Sequence, residues 1–210
     1  MNEKKIYTII RLVCGILGML LPILAAVGAG LYQLHYPVPE GFWSHLSISA
    51  TYYVTPALAA ILTAASIVLM TYDGYGKVDN LVTTASGVLG MLIVLFPCKC
   101  SLTGDYTGFF MLPAKVSAVI HNISACLFFV LLAFNSAFLF TQNNGKMTKQ
   151  KKMRNKIYVA CAIAMVIPML WIVLPVWSPS KTFVAELIML EAFGISWLVK
   201  SDTIYWLKDK

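Results

Sequence analysis

What this 210-residue chain has least of is charge. Only 12% of its residues are Asp, Glu, Lys or Arg, while 59% are hydrophobic and the mean hydropathy is +0.77. A soluble domain carries roughly 25% charged residues. Half that share leaves too little polar surface to wrap a soluble core, so several membrane spans are the natural solution. Acids are scarcer than bases, 9 against 16, for a net charge of +7. The bases gather between apolar runs, which suits membrane orientation and not a nucleic-acid partner.

Cysteine is sparse and badly spaced for chemistry. Cys14, Cys126 and Cys161 sit inside apolar runs, where a thiol packs as a small hydrophobe. Cys98 and Cys100 are too close for a Cys-x-x-Cys redox or zinc pair, and are expected to be free or structural thiols. The chain also lacks a P-loop, a Gly-x-Gly-x-x-Gly before a helix, His-Glu-x-x-His and Gly-x-Ser-x-Gly. Nucleotide-driven and phosphoryl-transfer activities lose their usual machinery with them. No soluble domain, low-complexity tract or internal repeat interrupts residues 1–210, which read as one transmembrane domain.

Six runs approach the roughly 20 apolar residues that a helix needs to cross a bilayer: about 12–32, 53–72, 81–96, 116–140, 157–176 and 183–198. The first carries Gly15, Gly18, Gly28 and Gly30, small residues that let helices approach closely, and Pro22, which predicts a kink. Lys4, Lys5 and Arg11 ahead of it could open a signal peptide. The run is too long for that, and its end lacks a clear cleavage site, so it is read as a helix. Pro37 and Pro39 mark an extended loop after it, and Tyr72-Asp-Gly-Tyr-Gly76 a tight turn between runs two and three.

An even number of spans puts both termini on one side. With the termini in the cytoplasm, that side holds Lys4, Lys5, Arg11, Lys77, the six bases between Lys146 and Lys156, Lys200, Lys208 and Lys210. Only Lys99, Lys115 and Lys181 then fall outside, a strong positive-inside bias. The predicted architecture is an all-α, polytopic six-helix bundle in a cell membrane, with both termini cytoplasmic.

Polar residues converge on the outer half. The stretch Trp43-Ser-His-Leu-Ser-Ile-Ser-Ala-Thr-Tyr-Tyr53 sets a histidine and several hydroxyls against the start of run two. His121 lies about two turns into run four from its outer end, and Glu186 and Glu191 about one and two turns into run six. Ionisable groups in a bilayer cost a few kcal/mol, face the bundle interior and find partners. If helical, His45 and Ser49 share a face at i, i+4. Glu186 and Glu191 diverge by about 140°, and the deeper Glu191 is taken as the one facing the site.

The expected site is therefore His45, Ser49, His121 and Glu191. Two histidines and a carboxylate (His45, His121, Glu191) suit a zinc ion with an open position for water. The same four suit acid–base chemistry with Ser49 as nucleophile. The plain alternative is that His121 and Glu191 satisfy each other. Trp43, Tyr52, Tyr53, Trp171, Trp177, Tyr205 and Trp206 suit the aromatic belts at the two interfaces.

Several strings carry a likeness: Ser47-Ile-Ser-Ala-Thr-Tyr-Tyr53, Tyr72-Asp-Gly-Tyr75, Leu95-Phe-Pro97, His121-Asn-Ile-Ser-Ala125 with Phe128 and Phe129, Arg154-Asn-Lys-Ile-Tyr158, and Glu191 with Phe193-Gly-Ile-Ser-Trp-Leu-Val-Lys200. Together they resemble a family of small, mostly uncharacterised bacterial six-helix membrane proteins. More distantly the chain is similar to the FRAG/DRAM/SFK-type membrane proteins, which have an Ile-Ser motif in the first outer loop and a histidine opening helix four. In that group an acid commonly follows Ile-Ser; here Ala50 stands there. A weaker likeness is to the superfamily of alkaline ceramidases, whose His-x-x-x-His on the last helix is missing here.

The resemblance implies a protein of the bacterial inner membrane that binds or remodels outer-leaflet lipid, in its sharpest form a hydrolase. The alternatives are a non-catalytic scaffold, working with a membrane-protein partner or as a homo-oligomer, and a small transporter. A scaffold predicts a closed, self-paired polar cluster. A transporter needs polar residues continuing to the cytoplasmic side.

Overall fold

The computed structural model describes residues 3–38, 42–74, 76–143, 145, 147–175, 178 and 180–209, with Glu3 and Lys4 as backbone only. Pro39, Gly41, Tyr75, Lys146, Trp177 and Lys210 lie outside the described residues, as does the Lys4 side chain. The described chain is helical apart from one hairpin of two-residue strands. Its helices are α1 (Glu3–His35), α2 (Phe42–His45), α3 (Ala57–Thr71), α4 (Lys77–Leu95), α5 (Ala114–Phe134), α6 (Lys149–Val173) and α7 (Lys181–Lys200). Five of them, α1 and α4 to α7, are long and apolar enough to cross a membrane.

Their surfaces agree with that reading. Ile9, Val13, Ile16, Leu20, Ile23 and Val27 form an exposed stripe along α1, and Val116, Val119, Ile123, Leu127, Val130 and Phe134 form another along α5. Both repeat at three- and four-residue steps, so each is one helix face. In water such stripes would be an aggregation liability; against acyl chains they cost nothing. Pro22 lies within α1, which stays one continuous helix past it.

Two elements depart from expectation. Run two, expected at about 53–72, forms only the 15-residue helix α3. Pro56 has no N–H and disfavours helical geometry at Thr55, so the preceding residues form a separate 3-10 turn, Ser49–Tyr53. Fifteen residues rise roughly 22 Å, short of a ~30 Å hydrocarbon core. Run five, expected at about 157–176, starts already at Lys149, because Thr148 caps it by accepting from the Lys151 N–H at 3.0 Å. The basic segment is thus largely the first turns of α6.

The helices close a ring. Each of α3, α4, α5, α6 and α7 packs on the next, α1 packs on α3, and α7 returns to α1 in the most extensive contact of all. Glycines permit that last approach. A Cβ on Gly15 would fall 2.8 Å from the Leu198 nitrogen, and one on Gly194 would fall 2.9 Å from both the Gly15 carbonyl and the Met19 nitrogen. Gly18 faces Phe193 of α7, and Gly28 faces Thr55. At the other end of the ring, Arg11 donates two hydrogen bonds, of 3.0 and 2.8 Å, to the Tyr72 hydroxyl. The Tyr72 ring in turn meets Trp197 edge-on at 5.2 Å.

The C-terminal segment docks on the start of α6. Arg154 donates to the Leu207 carbonyl and pairs with Asp209, which also accepts from Thr148. The Thr148 hydrogen bond, then the one from Arg154, holds the Asp209 carboxyl below its ordinary value. A depressed folded value means the tether is fully present above the unfolded carboxylate value of about 3.9 and is lost as pH falls through the lower folded one. The tail is expected to resist carboxypeptidase at neutral pH and to become susceptible below about pH 4. Arg154→Ala should expose it at every pH. Equal digestion of both proteins at pH 7 would count against the tether.

Candidate functional site

The stretch after α1 folds back over the N-terminal end of α7. Ser180 fastens it from below, donating its N–H to the Ser44 carbonyl and its hydroxyl to the Trp43 carbonyl, both at 2.9 Å. Ser47 accepts from the Ala50 N–H at 2.9 Å and so starts the 3-10 turn, while the Thr51 hydroxyl donates to the Ile48 carbonyl at 2.6 Å. Such hydroxyl-to-backbone bonds are how Ser and Thr bend a chain away from regular helix. The result aims the N–H groups of Ile48 and Ser49 in one direction, making a small nest for an anion.

Glu186 fills that nest. Its Oε2 accepts from the Ile48 N–H at 2.6 Å and the Ser49 N–H at 3.3 Å, and its Oε1 accepts from the Ser49 hydroxyl at 2.7 Å. Three donors on a part-buried carboxylate tie this loop to α7 with charge-assisted bonds, roughly twice as strong as neutral ones. The expected i, i+4 relation of His45 and Ser49 does not form, because helix stops at His45 and resumes as a 3-10 turn at Ser49.

His121 does different work. Its Nδ1 lies 3.2 Å from the Ile93 carbonyl and 3.0 Å from the Phe96 carbonyl. Carbonyls only accept, so Nδ1 carries the proton and a neutral ring keeps Nε2 as an acceptor. One turn earlier on α5, Ser117 donates to the Pro97 carbonyl at 2.8 Å. The two side chains cap the end of α4, whose last carbonyls have no partner within the helix and would be costly bare in a bilayer.

A cavity of about 670 Å³ lies between the ring and this loop. Leu21, Leu58, Leu62, Phe128, Phe129 and Met189 give it an apolar back, and Ser47, Ser49 and Glu186 a polar end. His45, exposed and 3.1 Å from the Ser44 hydroxyl through Nδ1, stands at its rim, and His121 contributes to its wall. Three of the four expected site residues, His45, Ser49 and His121, thus line one cavity. Glu191 does not; Glu186 takes that place, and Glu191 makes no hydrogen bond or ion pair among the described residues. Among those residues no three His, Cys, Asp or Glu side chains converge as metal ligands, and of the set expected for zinc (His45, His121, Glu191) the two histidines line the cavity and Glu191 does not. The expected pairing of His121 with Glu191 is replaced by the carbonyl contacts.

The segment 98–102 forms the rest of the wall and carried no signal in the sequence beyond its odd cysteine pair. All five cysteines are free. Burial, reinforced by the Glu186 carboxylate, pushes the Cys98 thiol up, which makes it a poor nucleophile. Tyr53 holds this segment, donating to the Cys98 carbonyl at 2.7 Å with the Thr107 hydroxyl 2.9 Å away; burial raises its phenol above the ordinary value. The likeness to known families can be weighed against these features. No protein-family model, curated protein or solved structure matches the chain.

Proposed function

We propose that this protein is a six-span protein of the bacterial inner membrane, with both termini cytoplasmic, that holds an outer-leaflet lipid in the cavity between its helices. The observation that carries the reading is the division of that cavity, apolar at the back and polar where the Ser49–Glu186 pair closes it. An amphiphile with a hydrocarbon tail fits such a division, and the volume lies in the ~300–1,000 Å³ range of small-molecule sites. The short α3 completes the six spans if the bilayer thins beside it or if the 3-10 turn lies at the interface.

Binding fits the Glu186 geometry better than base chemistry, because its two oxygens are already occupied by three donors. The 2.7 Å contact from the Ser49 hydroxyl to Glu186 does favour a second reading, acyl transfer. In it Ser49 attacks an ester carbonyl, Glu186 takes the hydroxyl proton and gives it to the leaving alkoxide as the ester C–O bond breaks, and water then hydrolyses the acyl-Ser49 ester. A closed scaffold has no use for the cavity, and a transporter needs a polar path that the inner half of the lining does not provide.

Native mass spectrometry of protein extracted in mild detergent tests the binding reading. Wild-type protein is expected to carry lipid, and Ala125→Trp, which fills the cavity from α5, to lose it. Wild-type protein free of lipid overturns the reading. Lipidomics of a Ser49→Ala strain separates the second reading from the first: unchanged lipid turnover with retained binding leaves binding alone.

A further inference from the structure

The seam between α5 and α6 is unlike the others. Beyond Phe134, α5 continues as a π-helical turn, Asn135–Leu139, that also packs on α6. Its hydrogen bonds lie at the end away from the cavity: Ser136 donates to the Tyr158 carbonyl at 2.9 Å, Lys151 to the Phe140 carbonyl at 3.1 Å, and Asn155 to the Thr141 carbonyl at 3.4 Å. Toward the outer end the two helices part, and the cavity occupies the space between them. Asn122 and Cys126 of α5 and Val173 of α6 line it and are exposed, and Cys126 lies about 20° round the helix from Val119 of the exposed α5 stripe. Val173 is 80% exposed. A residue that both lines a cavity and meets the surroundings marks an opening, and an opening on the flank of a membrane helix faces acyl chains.

At the outer end of this opening the cavity wall includes Lys99, exposed and the one lysine or arginine among the described lining residues, while the one carboxylate among them, Glu186, is held by three donors. Lys115, at the start of α5, and Lys181, at the start of α7, stand on the same side. The Lys99 ammonium is the lining group that suits an anionic headgroup.

We infer that an anionic phospholipid enters the cavity sideways from the outer leaflet, its acyl chain passing between α5 and α6 and its phosphate meeting Lys99. This rests on the lipid-binding reading and adds to it the route and the headgroup class. The tail slides in without leaving hydrocarbon, so no apolar surface has to cross water. The phosphate stays at the interface beside the lysine.

The probe is phosphatidylglycerol carrying a diazirine at the end of one chain, loaded into vesicles of phosphatidylcholine and phosphatidylglycerol with the full-length protein. After photolysis, adducts are expected on Asn122, Cys126, Ile172 or Val173. Cys126→Trp, which places an indole in the opening, should retain about tenfold less probe. Leu127→Trp, exposed on α5 about 100° round the helix from Cys126 and not part of the cavity lining, serves as the control and should retain as much as wild type. Lys99→Gln should lose about fivefold of the preference for phosphatidylglycerol over phosphatidylcholine. Wild-type protein that captures no probe overturns the binding reading itself. Capture with adducts confined to 98–102, and with Cys126→Trp equal to wild type, overturns the lateral route while leaving binding intact. An unchanged preference in Lys99→Gln overturns the headgroup assignment.

Discussion

Glu186→Ala is expected to destabilise the protein severely, by on the order of 3 kcal/mol, although its side chain is only part-buried. The alanine removes both acceptor oxygens and leaves the Ile48 and Ser49 N–H groups and the Ser49 hydroxyl without their partner. Hydrogen bonds to a charged group contribute about 1.5–3 kcal/mol each, and an orphaned donor away from water costs about 1–3. Water reaching the loop from the outer side offsets part of the sum. For a chain of this length the loss corresponds to a fall in Tm of roughly 6–12 °C, readable by scanning fluorimetry in detergent. Glu186→Gln should cost less: its carbonyl oxygen can still serve the two N–H groups, and its amide can donate to Ser49 as the hydroxyl rotates. Glu191→Ala, five residues on with no such partners, should stay within about 0.5 kcal/mol. If the two alanine variants melt together, the carboxylate is not what holds the loop.

The contrast between these glutamates shows what the sequence could and could not convey. Depth along a helix is legible, because rise per residue is constant, and it drew together His45, Ser49 and His121, which line one cavity. Rotation about the helix is legible too, which is why one glutamate had to be set aside. What decides between them is the shape of a loop 138 residues away, where Ser47 and Thr51 bend the backbone until two N–H groups converge. Side-chain depth alone favours the deeper acid; a backbone anion nest favours the one it can reach. His121 is a similar case. Its partners are backbone carbonyls at the end of α4, and carbonyls have no letter in a sequence. The Ser117 and His121 spacing after the Pro97 stop held the usable clue, since a helix ending inside a membrane needs donors from its neighbour.

Helix existence was far easier to read than helix limits. Apolar runs announce spans, yet Pro56 cut one short and Thr148 began another early, each through a single backbone hydrogen bond lost or gained. The small residues of the first run were also informative, but unevenly. Gly15 and Gly18 meet α7 and Gly28 meets Thr55, whereas a Cβ on Gly30 would meet nothing within 4 Å. Composition marks which helix can approach closely; only the partner surface says where along it the approach occurs.

That unevenness yields the second large effect. Gly194→Leu is expected to prevent assembly of a folded monomer, and Gly194→Ala to lower stability by about 1–3 kcal/mol, the usual range for overpacking. A Cβ there would stand 2.5 Å from the Met19 Cγ, which can swing aside, but also 2.9 Å from the Gly15 carbonyl oxygen and the Met19 nitrogen, which belong to the α1 backbone and cannot. The helices would have to separate, and α1–α7 is the contact that closes the ring. In a bilayer no hydrophobic force draws helices together, so lost close contact is not regained by burial elsewhere. Relieving the clash from the other side is blocked, because Gly15 itself lies against the Leu198 backbone. Gly30→Ala supplies the internal control. It adds the same methyl to α1 in open space and, by favouring helix over the flexible chain, should raise stability by about 0.5–1 kcal/mol. Size-exclusion profiles and melting curves of the three variants in one detergent measure both signs. A Gly194→Ala protein as stable as Gly30→Ala would mean that α1 and α7 do not meet at these glycines.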